Sequence, residues 1–212
     1  MLKFRLSIAV IALAVCSCGN PDKPLEDGKI SSLNELKNVS ENFQESILES
    51  NNLREDRIKR GDTLAMPYKE LMNYLPEGID GYEKAGEPKG NQVDMPGLGS
   101  WSEVFQEYKN GDKSITVKIA DYNSAHGTLA GLTALYKLGM RVENEEKIEG
   151  VTDMGWEKVY ANETVYKKHP KTQLVLVVAD RFLINMESQG DENKEILKEV
   201  ARKMEIKGLA DK

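Results

Sequence analysis

The chain has 212 residues, 29 of them basic and 35 acidic, for a formal net charge of −6. A net-negative chain without a basic, aromatic-interleaved patch repels phosphodiester backbones, so no nucleic-acid partner is expected. Two cysteines and two histidines leave little material for thiol or metal chemistry, and the length suits one domain plus a short extension.

The N-terminus reads MLKFRLSIAVIALAV. Lys3 and Arg5 precede an uncharged run of ten residues, Leu6 to Val15. A membrane-spanning helix needs roughly 20 apolar residues; a run half as long matches the core of a signal peptide. Next comes LAVCSCGN, which holds both cysteines. This stretch resembles the lipobox of bacterial lipoproteins, where a small residue precedes the cysteine that becomes acylated. Cys16 follows the bulky Val15, whereas Cys18 follows Ser17 with Val15 three residues back, so Cys18 is the expected lipidation site. The resemblance implies a thioether-linked diacylglycerol on Cys18 and removal of residues 1–17, Cys16 among them. The mature chain would keep 27 basic residues against 35 acidic ones, a net charge of −8. At about 0.8 kcal/mol per buried methylene, two or more acyl chains hold firmly where one does not. A disulfide is the competing reading, but it would have to bridge Cys16 and Cys18 across one residue, a strained geometry. Gly19, in place of an aspartate, resembles lipoproteins sent to the outer membrane. The expected address is the bacterial cell envelope, with the side that the protein faces left open.

Residues 18–29 hold two prolines, two glycines and several charges, and read as a flexible tether. Across 30–61, apolar residues fall at Leu33, Leu36, Val39, Phe43 and Ile47, the three-or-four spacing of an amphipathic helix. Ser31 or Ser32 can cap it, and Gly61 can end it. The stripe fades after Ile47, so the helix either continues to Arg60 or stops near Leu53. It serves either to dock on its own domain or to meet a partner, through a candidate face of Leu36, Phe43 and Ile47.

The rest, 62–212, reads as one α+β domain. Pro67 opens a short helix with Leu71, Met72 and Leu75 on its buried edge, stopped by Pro76. After an irregular glycine- and proline-rich connection with a short strand near Gln92 to Met95, the period changes to two. Asn110-Gly111 between two alternating runs predicts a hairpin. Ser124 is the expected cap of a helix over 125–138, with Leu129, Leu132 and Tyr136 on one side and small residues at Gly127 and Gly131 to bring it close to the sheet. Strands are predicted at Trp156 to Ala161, Val165 to Lys168, Leu174 to Val178 and Arg181 to Glu187, the last two turning at Ala179-Asp180. Asp191 is the expected cap of a final helix with Ile196, Leu197, Val200 and Met204 inward. Hairpins with few crossovers predict a two-layer α+β fold, an antiparallel sheet with helices packed on one face, preceded by the amphipathic N-terminal helix. The succession LPEGIDGY, EYKNGDKSITVKIADY and DRFLINMES resembles a group of uncharacterised bacterial envelope proteins built as one small α+β domain. The order of elements also resembles the PsbP/Mog1-type sandwich. Neither resemblance implies an activity.

Chemistry is sparse. Asp121, Ser124 and His126 form a triad-like set of residue types, but groups this close in sequence rarely converge in a hydrogen-bonded line. His169 lies in the basic turn KKHPK. No P-loop, HExxH or EF-hand pattern occurs, so no cofactor, metal site or catalytic residue is expected. Two readings follow. The first is a membrane-anchored, non-enzymatic binding or assembly module that meets an envelope partner. The second is a small-ligand carrier or hydrolase with a pocket between sheet and helices, in which at least two of Asp121, Tyr122, Ser124, His126 and Arg181 should converge.

Overall fold

A computed structural model describes residues 33–95, 99–124 and 126–212 of the chain. The leader at 1–17, Cys18, the tether at 18–29 and the caps Ser31 and Ser32 lie outside the described residues.

Among these residues nine strands form one antiparallel sheet. They are β1 (Glu83–Lys84), β2 (Lys89–Met95), β3 (Gly99–Asn110), β4 (Lys113–Asp121), β5 (Arg141–Glu143), β6 (Lys147–Thr152), β7 (Val159–Tyr166), β8 (Lys171–Val178) and β9 (Phe182–Gln189). Their spatial order is β3-β4-β9-β8-β7-β6-β5, with β1 and β2 end to end along the outer edge of β3. The helices are α1 (Leu33–Lys59), α2 (Tyr68–Leu71, extended by a 3-10 turn at Met72–Tyr74), α3 (His126–Lys137), α4 (Ile196–Lys203) and α5 (Ile206–Ala210). The protein is thus a mixed α+β structure with a large antiparallel sheet.

Helices cover both faces of that sheet, which corrects the expectation of two layers with helices on one face. The reason lies in the run LVLVV of β8. Leu174, Leu176 and Val178 join Val104, Tyr108, Ile115, Ile184 and Met186 in the main core beneath α2, α4 and α5. Val175 and Val177 point the other way and, with Tyr122, Tyr160 and Leu183, are covered by Leu129, Leu132 and Tyr136 of α3. Apolar residues at both parities of a strand need cover on both sides. Away from α3 that second face turns polar through Thr116, Lys118, Gln173, Asn185 and Glu187, which need none.

Several local expectations shift. Asn110 pairs with Lys113, so the hairpin turn is Gly111-Asp112, one residue later than predicted. Gly111 takes φ +58 without the Cβ penalty, and Asn110 stays in the ladder. The strands predicted at 156–161 and 165–168 are one strand, β7, with Trp156 in the preceding turn. Asp191 does not cap α4. Its Oδ1 accepts the Asn193 N–H at 2.9 Å, its Oδ2 accepts the Tyr82 hydroxyl, and Lys113 lies 3.4 Å away. Burial pushes this carboxyl up, but Tyr82, the Asn193 N–H and Lys113 outweigh it and hold its pKa below the ordinary value.

Helix α1 lies against α3, with Ser46 and Ser50 buried in the contact, and Glu49 pairs with Lys137 at 2.6 Å. Of the candidate partner face, Phe43 and Ile47 are half-buried, and the Leu36 side chain lies outside the described residues. Close packing does not explain Gly127 and Gly131, since a Cβ at either would meet nothing within 4 Å. The close approaches are at Gly90, where a Cβ would collide with Tyr68 and lie 3.1 Å from Val104, and at Gly99, where it would collide with Ser124. Replacing Gly131 by alanine should therefore raise stability by about 0.5–1 kcal/mol through lower unfolded-state entropy. Thermal unfolding reads this directly, and a fall in Tm would show that α3 has no room there.

Candidate functional site

One end of the sheet gathers most of the buried charge. Asp121 closes β4 and Arg181 precedes β9, so the register of the two central strands sets them side by side. Arg181 Nε donates to both Asp121 oxygens at 3.1 Å, and its Nη2 to Oδ2 at 2.8 Å. Its Nη1 reaches Asp62 at 2.6 Å, and the guanidinium stacks on Phe182 at 4.8 Å. The backbone N–H groups of Met66 and Asn123 also donate to Asp121, each at 2.8 Å.

Asn123 carries this network to α1. Its Nδ2 donates to the carbonyls of Asp62 and Leu64 and to Asp62 Oδ1, and its Oδ1 accepts Arg57 Nε at 3.1 Å. Arg57 continues to the carbonyls of Ala179 at 3.4 Å and Asp180 at 3.5 Å. Burial and the neighbouring Arg181 charge push the Arg57 pKa down, while Asp62, Asp121 and Asp180 oppose them. Ser100 accepts the Ala65 N–H, Ser102 donates to the Met66 carbonyl at 2.7 Å, and Ser124 accepts the Ser100 N–H at 2.9 Å and donates to the Thr63 carbonyl at 3.2 Å. Together these bonds latch the end of α1 and the chain from Asp62 to Met66 onto the strand ends.

The predicted residues divide accordingly. Asp121 and Arg181 converge as a buried pair with side chains 0% and 5% exposed. Ser124 ties the loop rather than facing a base. Tyr122 belongs to the apolar cluster under α3. His126 opens α3 with its side chain outside the described residues, and His169 lies in an exposed turn. The sequence reading missed Arg57, Asp62 and Asn123, which are polar residues on a helix end and in loops, with no local pattern to mark them. Among the described residues no group of three or more His, Cys, Asp or Glu side chains is placed to hold a metal ion, and no helix is long and apolar enough to cross a membrane.

Beside the latch lie two adjoining hollows. One, of about 310 Å³, sits between α1, the Ala179-Asp180 turn and the chain's last residues; Arg57, Tyr160 and Asp180 are among its walls. The other, of about 350 Å³, adds Trp156, Val159 and Ile206, and the two share Lys158, Ala210 and Asp211. Three residues on their walls, Lys158, Ala179 and Asp180, have φ of +57, +52 and +50, the non-glycine left-handed residues among those described. Such residues cost about 1–3 kcal/mol each and persist where their surroundings over-determine them. The Ala179 N–H donates to the Lys158 carbonyl at 2.8 Å, and the Arg57 guanidinium takes the carbonyls of Ala179 and Asp180. A signal was legible here. A tight turn between two strong strands demands positive φ, for which alanine is an unusual choice.

Comparison of the chain with protein-family models, with curated proteins and with solved structures finds no match in any of the three.

Proposed function

We propose that this chain is a lipoprotein of the bacterial cell envelope, anchored through Cys18, most simply in the outer membrane, and that it works as a non-enzymatic binding or assembly module. The anchor rests on LAVCSCGN behind its short apolar run. The resemblance to uncharacterised envelope α+β proteins and to the PsbP/Mog1-type sandwich is part of the same reading. The observation that carries the binding role is the latch. Asp121 and Arg181, the charged pair that a pocket chemistry would use, bond to each other, Asp121 also accepts the Met66 and Asn123 N–H groups, and Arg57 of α1 is tied to the same corner through Asn123. That favours a rigid carrier of surfaces over the hydrolase form of the pocket reading, which needs a base free to face a nucleophile. The half-buried Phe43 and Ile47 and the 39%-exposed Val39 leave an apolar flank on α1 for an envelope partner. The carrier form of the pocket reading is favoured by the hollows beside the latch.

The test is labelling of cells with radioactive palmitate, comparing wild type with Cys18→Ala and Cys16→Ala, with crosslinked neighbours recovered from the same cultures. Cys18→Ala should lose label and membrane association together, and Cys16→Ala should keep both. An unlabelled wild-type protein in the medium would remove the anchored reading.

A further inference from the structure

We infer that the outer edge of β2 is an interface at which a second copy of this chain pairs antiparallel, joining two sheets into one. The inference goes beyond the anchored-module reading and holds with or without the anchor. β2 runs over seven residues, Lys89–Met95, and pairs with β3 on one side. Among the described residues no second strand pairs with it, and no backbone hydrogen bond ties its outer edge to another part of the chain. Such an edge offers a row of unpaired N–H and C=O groups, and folded proteins blunt it with short strands, charge or proline. The opposite edge of this sheet is blunted, since β5 is three exposed residues with Arg141 and Glu143 at its ends. β1, which shares the β3 edge, is two charged residues. β2 has no such protection between Lys89 and Asp94, where the sequence runs Gly90, Asn91, Gln92, Val93. The strand is also held in place from its core side. The Gln92 side-chain oxygen accepts the Tyr68 N–H of α2 at 3.3 Å, and Gly90 lies against Tyr68 and Met72. A strand already formed has little freedom left to lose on pairing.

Symmetry and charge name the occupant. Antiparallel strands of two identical copies are related by a two-fold axis normal to the sheet, and the contact closes on itself. That axis keeps each face of the sheet on its own side. Val93 lies opposite Trp101 on the face away from the main core, with Phe105 further along β3 on the same face. Val93 is 40% and Phe105 38% exposed, and Trp101 is half-buried, because α3 packs further across, on β7 and β8. Pairing brings the Val93 and Trp101 of both copies onto one face, so a single apolar strip crosses the seam. Full overlap of the two strands sets Gln92 opposite Gln92 of the second copy and the two Val93 side chains within diagonal reach. It also sets the Lys89 end of each strand on the Asp94 end of the other. These are the two charges in β2, so opposite signs meet at both ends of the seam, and the chain's net negative charge does not gather there. A parallel copy would set like on like.

Oxidative cross-linking of the full chain in detergent tests this, in a Cys16→Ala, Cys18→Ala background that leaves no other thiol. Residues directly opposite in an antiparallel pair lie about 4.5–5.5 Å apart at Cα, within the about 4.4–6.8 Å that a disulfide spans. Gln92→Cys should therefore give a covalent dimer, and Val142→Cys on β5 should stay monomeric. The seam engages seven residues a side, against about 20–30 in a standard interface, so the disulfide is needed to trap a weak dimer. Adding Val93→Lys to Gln92→Cys sets like charges across the seam and should slow cross-linking at least tenfold with Tm unchanged. Should Gln92→Cys fail to fold, sedimentation of the otherwise unchanged chain at about 1 mM, the midpoint for a mM dimer, decides the matter. Dimer there and monomer in Val93→Lys support the interface, and monomer in both overturns it. A Gln92→Cys chain that stays monomeric under oxidation overturns the inference, as does equal cross-linking through Val142→Cys, which reports collision alone. The background lacks the anchor, so loss of the palmitate label in the wild type would remove the anchored reading and leave this interface standing.

Discussion

Replacing Arg181 by methionine should destabilise the protein by about 3–5 kcal/mol, the cost of leaving a buried carboxylate without its cation. Asp121 is fully buried and loses three of the hydrogen bonds it accepts when the guanidinium goes. The Met66 and Asn123 N–H groups remain, but they carry no charge to offset the carboxylate. Asp62 loses its 2.6 Å partner at the same time, which loosens the loop behind α1. The double variant Asp121→Leu with Arg181→Met removes both charges and should recover much of the loss, because a buried pair adds little over well-packed apolar groups. Urea unfolding of the two single variants and the double variant gives the coupling. A single-variant cost below about 1 kcal/mol, the level of an exposed pair, would mean that water reaches Asp121 and that the latch is not buried in solution.

Tyr108→Ala should cost a similar amount, about 3–5 kcal/mol, for the same depth but a different reason. The ring is fully buried in the main core, and deleting it leaves a cavity between β3 and the 3-10 turn. Tyr108→Phe separates the ring from the hydroxyl. The hydroxyl donates to the Pro76 carbonyl at 2.5 Å, and its loss should cost about 1–1.5 kcal/mol, since that carbonyl stays buried without a donor. The hydroxyl also titrates. Burial pushes its pKa up to about 12. Between the ordinary tyrosine value near 10 and that raised value, the unfolded chain has released the phenol proton and the folded chain has kept it. Stability contributed by this group is therefore intact below pH 10 and declines as pH rises toward 12. Urea midpoints across that window should fall less steeply in Tyr108→Phe than in wild type. Identical slopes would show that the phenol reaches solvent.

Much of the body was legible in residue order. Alternation in Ile115, Val117 and Ile119 marks β4, which faces the core with those three residues. The stripes Leu129, Leu132, Tyr136 and Ile196, Leu197, Val200 mark the buried sides of α3 and α4. Period is a local property, written by burial of one face at a time. The strands β5 and β6 were not legible. RVE and KIEGVT carry exposed or half-exposed residues and a glycine; β6 forms because β7 offers its open edge and β5 adds to β6 in turn, a condition absent from either segment alone.

What the sequence determined by itself was the α+β class, the antiparallel pairing implied by short turns, and the apolar stripes of the helices packed on the sheet. Each follows from residue spacing and turn chemistry within a window of a dozen residues. The tertiary structure alone decided which sheet face each helix covers, that Asp121 and Arg181 close on each other, and that Arg57 crosses 66 positions to Asn123. It also decided that Asp180 is buried with an oxygen left over. The physical reason is common to all of these. Charge pairing and burial depend on distances through space, and a chain's local pattern sets those distances only after the sheet has closed.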